Sequence, residues 1–254
     1  MAGLLEVEAL GMRFGGLVAV DGVSLQVNSG EVVSIIGPNG AGKTTVFNCI
    51  SGFYRPTSGQ VRLQGELIAG LPSHRVARKG LVRTFQNVRL FRNMTVVENL
   101  LVAQHTRTDT NLFSGLLKLP RFRRLEAEAL ERAALWLRLV GLRELANREA
   151  GYLAYGQQRR LEIARCMVTG PRLLLLDEPA AGLNPRETAE LDQLILQLRT
   201  EHGVSVLLIE HDMKLVMAIS DRIVVIDHGR PLATGTPEQI RRDPAVIKAY
   251  LGEA

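Results

Sequence analysis

Cysteine is scarce: the 254 residues include only Cys49 and Cys166. Two thiols cannot supply the framework of a disulfide-stapled domain, and they lack the short spacing of a metal site. Both lie in apolar, helix-like stretches, where a small buried thiol needs no further role. Long apolar runs are missing as well. Leu173–Leu176 and Val206–Ile209 are four residues each, whereas a helix that crosses a bilayer needs about 20. The opening MAGLLEVEALGMRF has no basic region followed by an apolar stretch, so no secretory signal is read and a cytoplasmic location is expected. No internal repeat, low-complexity linker or sustained heptad pattern is present. Charge is not one-sided, since 31 Lys and Arg against 26 Asp and Glu leave +5. That excess suits nucleic acid, anionic lipid or no charged partner. Its one dense group, Lys118, Arg121, Arg123 and Arg124, is either a solvated face or a contact with lipid or a membrane partner.

What is present is an ordinary globular balance, 46% apolar and 22% charged, in a chain long enough to bury a sizeable core. Residues 4–10, 18–28, 31–36 and 59–64 read as strands between Gly, Asn and Ser punctuation. The first 65 residues thus mix antiparallel β structure with a strand that feeds a glycine-rich loop. From Thr95 to about Ala150 strand signals vanish. Residues 95–105 and 123–142 read as helices, the second with Leu130, Ala133, Ala134 and Leu137 at i, i+3, i+4 and i+7, and 106–120 as the loop between them. After Gly170 strands and helices alternate: RLLLLD, VSVLLI and RIVVID are strands. Asn184-Pro185-Arg186-Glu187 and Thr236-Pro237-Glu238-Gln239 carry the capping residue, proline and acid or amide of helix starts. Leu191, Leu194, Ile195 and Leu198 form the first helix's buried stripe. This alternation predicts an α/β fold with a mainly parallel sheet and helices on both faces.

Two motifs carry chemistry. Gly37-Pro38-Asn39-Gly40-Ala41-Gly42-Lys43-Thr44 matches G-x-x-x-x-G-K-[ST] and sits between the strand VVSII and the helix TTVFNCI, the setting the motif requires. Glycines let backbone N–H groups turn inward around phosphates, and the helix directs its positive end at them. Lys43 supplies a mobile positive charge to the β- and γ-phosphates, and the Thr44 hydroxyl suits a magnesium ion. The second motif is LLLLDE. Asp177 at the end of a buried strand can hold magnesium directly or through water, and Glu178 is placed to orient or deprotonate an attacking water.

With these motifs in order, the chain resembles the ATP-binding cassette family over essentially its whole length. Leu153-Ala154-Tyr155-Gly156-Gln157 resembles the family's LSGGQ signature and leads into a helix. Gln86 resembles the Q-loop glutamine, His211 the switch histidine, Phe14 the aromatic that stacks on adenine, and Ala181–Asn184 the D-loop. RTFQNVRLFRNMTVVENLLVAQH, LDEPAAGLNP, IEHDMKLVM and GTPEQIRRDPAVIKAYLGEA narrow the resemblance to cassettes of branched-chain amino acid importers. It implies one P-loop NTPase cassette over 1–254. An ATPase core with an N-terminal antiparallel β subdomain occupies 1–87 and 159–254, and an α-helical subdomain with the signature occupies 88–158. ATP would bind through Phe14, the loop Gly37–Thr44 and Thr45, with Mg2+ at Thr44, Gln86 and Asp177. Glu178, His211, Lys43 and Gln86 would serve catalysis, and the signature would cover ATP held by a second cassette. The implied partners are that cassette, in a heterodimer or, in isolation, a homodimer, two permease subunits whose helix enters a groove around Gln86 and Val88–Val97, and indirectly a periplasmic amino-acid-binding protein. Such a cassette works on the inner face of the cytoplasmic membrane. Nucleic acid is not among its partners, because the chromosome-handling relatives insert a long coiled coil where about 110 positions separate Thr44 from Ala154. Urea, an amide or a lipid is the alternative cargo. Ala154 stands in place of the signature serine, Tyr155 in place of its first glycine, and Asn184 in place of the D-loop acid. Loss of one hydroxyl bond to a charged group is worth about 1.5–3 kcal/mol.

Overall fold

Period-2 patterning near the amino terminus and wholly apolar strands further on yield two kinds of sheet. The computed structural model of the protein describes residues 3–104 and 120–251. The expected loop over 106–120 lies outside them except for Pro120, which opens a helix; Lys118 and the side chain of Arg121 also lie outside. In chain order the strands and helices are β1 (Leu5–Phe14), β2 (Leu17–Val27), β3 (Val32–Ile36), α1 (Lys43–Ile50), β4 (Ser58–Leu63), β5 (Glu66–Leu67) and α2 (Ser73–Arg78). Then come β6 (Leu81–Arg83), α3 (Val96–Gln104), α4 (Pro120–Leu139), α5 (Tyr155–Met167), β7 (Leu173–Asp177) and α6 (Pro185–Thr200). The chain closes with β8 (Ser205–Ile209), α7 (Met213–Ile219), β9 (Arg222–Asp227), β10 (Arg230–Gly235), α8 (Pro237–Arg242) and α9 (Pro244–Leu251). Two compact units result. One joins the residues up to Gln86 with those from Arg172 onward, and the other runs Asn87–Pro171.

In the first unit, among the described residues, β2-β1-β4-β5 form an antiparallel sheet and β10-β9-β3-β8-β7-β6 a second sheet. The second is parallel except for β10 at its edge. β1 runs past its expected end at residue 10. Ala9 takes a positive φ of 44° and the pairing with β2 shifts between Val7 and Leu10. This bulge breaks the alternation that marks a half-buried strand, so the continuation was not visible as a pattern. Residues β3, β7 and β8 are buried throughout, as parallel strands covered on both faces must be. The apolar side of α1, Val46, Phe47 and Ile50, joins residues of both sheets in one core.

The second unit is helical, and here one expectation is corrected. On α4 the buried stripe is Ala133, Trp136, Leu137 and Val140, while Leu130 and Ala134 are exposed. The same spacing fits a stripe displaced by a few residues. Trp136 decides between them, because burying an indole removes more apolar area from water than burying Leu130 and Ala134 gains. α4 ends where Gly141 turns to a φ of 68°, the left-handed stop that glycine supplies.

α6 forms as its sequence predicts. Asn184 Oδ1 accepts from the N–H groups of Arg186 and Glu187, each at 3.0 Å, and Glu187 Oε2 accepts from Asn184 N–H at 3.0 Å. Leu191, Leu194, Ile195 and Leu198 are buried. Asn184 thus holds the start of a helix that covers the parallel sheet. Asn184→Ala should lower stability by about 1 kcal/mol, and Asn184→Asp should leave it nearly unchanged. Thermal unfolding of the two variants checks this.

Candidate active site

The site is built at the carboxyl ends of β3, β7 and β8. Ile35 of β3 and Asp177 of β7 both pair with Ile209 of β8, so the three following segments leave the sheet at one level. After β3 the chain enters the glycine loop at a φ of 154° for Gly37, and a Cβ there would lie 1.9 Å from the Ile226 carbonyl oxygen. At Gly42, φ 94°, a Cβ would lie 2.6 Å from the Ala19 carbonyl oxygen. Only glycine fits between these two walls. The loop borders a cavity of about 600 Å3, lined by Leu17, Val18, Ala19, Asn39 through Thr45, Gln86, Glu178, His228 and Gly229. Lys43 Nζ donates to the carbonyls of Gly37 at 2.8 Å and Pro38 at 2.9 Å. Burial pushes its amine below the ordinary lysine value, and the Glu178 carboxylate partly offsets this.

The acidic end faces the same cavity. Glu178 stands at a φ of 45°, pinned by its N–H to the Ile209 carbonyl at 2.9 Å. A non-glycine residue held there stores about 1–3 kcal/mol of strain, a feature that clusters at active sites. Gln86 Nε2 donates to Glu178 Oε2 at 2.8 Å, and His211 Nδ1 is 4.0 Å from the same oxygen. Gln86, Glu178 and His211, 125 positions apart at the extremes, therefore meet around one carboxylate.

Asp177 lies behind this surface. It is buried and pairs through Oδ2 with Arg83 Nη2 at 2.5 Å. Arg83 also donates to Asn48 Oδ1 at 2.7 Å and Ser51 Oγ at 3.0 Å, and its guanidinium lies 5.4–5.8 Å from the ring centres of Phe47, Phe53 and Phe85. Arg83 was not anticipated from the sequence. Its only local signal is a charged residue in a short, mostly apolar strand. Phe14, expected at the adenine, is half-exposed and packs edge-on against Tyr54 at 5.3 Å; Leu17 and Val18 line the cavity instead. Thr44 and Gln86 line the cavity, while Asp177 lies behind it and is paired with Arg83; the hydroxyl, amide and carboxylate oxygens of these residues are of the hard kind that suits magnesium.

In the second unit the signature residues open α5. Ala154 is the capping position but has only a methyl group, while Gln157 Oε1 accepts from Ala154 N–H at 3.1 Å. Tyr155 takes a bond from Arg159 at 3.2 Å, and the fully buried Arg159 pairs with Glu162 at 2.9 Å. That pair braces the substituted signature from below, and an i, i+3 Arg and Glu was its only trace in the sequence.

With the geometry described, similarity identifies the class. The ABC transporter family matches residues 20–181, and the chain belongs to that family of ATP-binding cassettes. A branched-chain amino acid ATP-binding cassette transporter segment matches residues 230–254. The chain is 70% identical over 99% of its length, and 98% of the relative's, to the high-affinity branched-chain amino acid transport ATP-binding protein BraF of Pseudomonas aeruginosa. It is 66% identical, with the same coverage, to LivG of Escherichia coli. The crystal structure of the ADP conformation of an ATP-binding cassette of an ABC transporter aligns over 100% of both chains with a TM-score of 0.86 at 33% identity.

One carboxylate near the site is poorly accommodated. Asp192 Oδ1, on α6, is buried without a hydrogen-bond partner among the described residues. Burial first, then the charges of Asp212 and Glu210, push its carboxyl above the ordinary aspartate value. The folded state therefore holds this proton more tightly than the unfolded chain, and stability falls as pH rises from the ordinary aspartate value through the raised one. Asp192→Asn should raise the Tm at pH 7, and the difference should vanish below the ordinary carboxylate range. Melting curves of both proteins across pH check the sign.

Proposed function

We propose that this chain is the ATP-hydrolysing subunit of an importer for branched-chain amino acids, working at the inner face of the cytoplasmic membrane. The observation that carries the ATPase reading is the Glu178 carboxylate, set by Gln86 at the edge of the glycine-loop cavity. Near-full-length identity to BraF and LivG supports the cargo. Among the described residues no helix is long and apolar enough to cross a membrane.

The N–H groups of the glycine loop and the first turn of α1 bind the phosphates of ATP, with Lys43 adding charge at the β- and γ-positions. Phosphate nearby favours the charged form of an amine that burial alone disfavours. Thr44, Gln86 and Asp177 would hold Mg2+, which when bound neutralises charge developing on the phosphates. Glu178 orients and deprotonates the attacking water, Gln86 keeps its carboxylate in place, and His211 steadies the transferred phosphoryl group. Ala154 supplies no side-chain cap, so the first N–H groups of α5 are offered to the γ-phosphate held by a second, non-identical cassette. ATP favours the closed pair and hydrolysis relieves closure, driving two permease subunits between states. A periplasmic amino-acid-binding protein feeds those subunits. Half-exposed Phe91 and Met94, in the stretch 88–97, form the apolar surface a permease helix would cover.

In cells lacking the gene, the natural chain should restore uptake of labelled leucine and Glu178→Gln should not. The purified Glu178→Gln complex should still bind ATP while its turnover falls by ~100-fold or more. ATP hydrolysis without any effect on leucine uptake would leave the ATPase reading standing and move the cargo to another class, such as a lipid, in line with the 35% identical lipopolysaccharide export system ATP-binding protein LptB of Haemophilus influenzae.

A further inference from the structure

Immediately before His211 stands Glu210, 1% exposed at the end of β8. A buried carboxylate survives only if its charge is compensated by hydrogen bonds or a counter-charge. Here the compensation comes from backbone donors on two separate segments. Oε1 accepts from Ala180 N–H at 2.8 Å. Oε2 accepts from His211 N–H at 3.0 Å and Asp212 N–H at 3.4 Å.

The two segments are the ones that carry the chemistry. Ala180 lies two residues after Glu178, in a turn closed by Ala181 N–H to the Glu178 carbonyl at 3.2 Å and Leu183 N–H to the Ala180 carbonyl at 3.1 Å. His211 and Asp212 start the segment into α7, where Asp212 Oδ1 accepts from Lys214 and Leu215 N–H groups. One side chain thus ties the turn behind the base to the segment bearing the histidine. The His211 ring sits between two carboxylates, its Nδ1 3.8 Å from Glu210 Oε2 and 4.0 Å from Glu178 Oε2.

We infer that Glu210 is a positioning residue for hydrolysis: by bonding both segments it sets the separation of Glu178 and His211. The inference rests on the roles proposed above for those two residues. It gives Glu210 no contact with nucleotide, since the side chain is buried and both its oxygens are taken up by backbone N–H groups. A disturbed Glu210 should therefore spoil the chemical step and spare binding. Misplacing reacting groups by about 1 Å can lower a rate ~100-fold.

The experiment uses the full transporter complex in membranes and compares the natural chain with Glu210→Gln, Glu210→Ala, Glu178→Gln and the double variant Glu178→Gln/Glu210→Gln. Glutamine keeps the shape and one acceptor oxygen, so it can hold one segment but turns an NH2 group against the other. Glu210→Gln should lower kcat by ~10-fold or more while KM for ATP stays within about twofold, and Glu210→Ala should lose more. In the Glu178→Gln background, Glu210→Gln should have no further effect on the residual rate, because residues that act as a unit are not additive. A normal kcat in Glu210→Gln, with turnover abolished in Glu178→Gln, overturns this inference alone. A full multiplicative loss in the double variant also overturns it, since that is the mark of a role independent of the base. Turnover surviving in Glu178→Gln overturns the assignment of the base and this inference with it. Should Glu210→Ala fail to fold, the isosteric glutamine variant decides.

Discussion

Everything at the site depends on the register of three buried parallel strands. Ile35, Asp177 and Ile209 stand side by side across β3, β7 and β8, so Gly37, Glu178 and Glu210 with His211 leave the sheet within a residue or two of one line. The strands are buried on both faces, and ionisable side chains appear only at their carboxyl ends; the one polar residue inside β3, Ser34, is bonded to the Ser220 hydroxyl. A slip of one residue would draw Asp177 deeper into the apolar layer or leave a leucine at the cavity edge. Both are unfavourable by the desolvation of a charge or the loss of apolar burial. The chemistry is therefore aligned by packing that contains no catalytic group.

That alignment gathers charge where water is scarce, and each charge is compensated differently. Lys43 rests on two loop carbonyls. Asp177 has a counter-ion, Arg83, itself surrounded by aromatic rings. Glu210 has only backbone N–H groups. Glu178, the group with the proposed proton to take, is the most accessible of the acids and holds an amide rather than a cation. Among these acids Glu178 alone combines access to the cavity with the lack, among the described residues, of a lysine or arginine within bonding distance, as a working base requires.

Legibility from sequence followed the range of the interactions. The glycine loop was readable because its constraint is local backbone shape joined to a strand and a helix. The start of α6 was readable because Asn184, Pro185 and Glu187 act within one turn, and its buried stripe followed from period alone. The pairing of Arg83 with Asp177 spans 94 positions, and that of Glu210 with Ala180 spans 30. Neither leaves a periodic trace. Leu130 and Ala134 fitted the right spacing on the wrong face of α4, because apolar spacing alone does not say which of two overlapping stripes wins when a tryptophan lies in one of them. The strand β1 was read short because a bulge at Ala9 interrupts the alternation. Phe14 was placed by likeness to other cassettes, and its own neighbour here is Tyr54.

The carbonyl of Ala19, in the small antiparallel sheet, is the wall against which both Gly42 and Gly229 press, with a Cβ at either reaching within 2.6–2.7 Å of its oxygen. Three stretches of chain, far apart in sequence, therefore share a single point of clearance. Mutation cannot sample them one at a time: enlarging either glycine demands a compensating shift of the β2 backbone, which in turn disturbs the other. Substitutions at this corner are therefore coupled through a single backbone oxygen, and their costs would not add as those of distant, independent sites do.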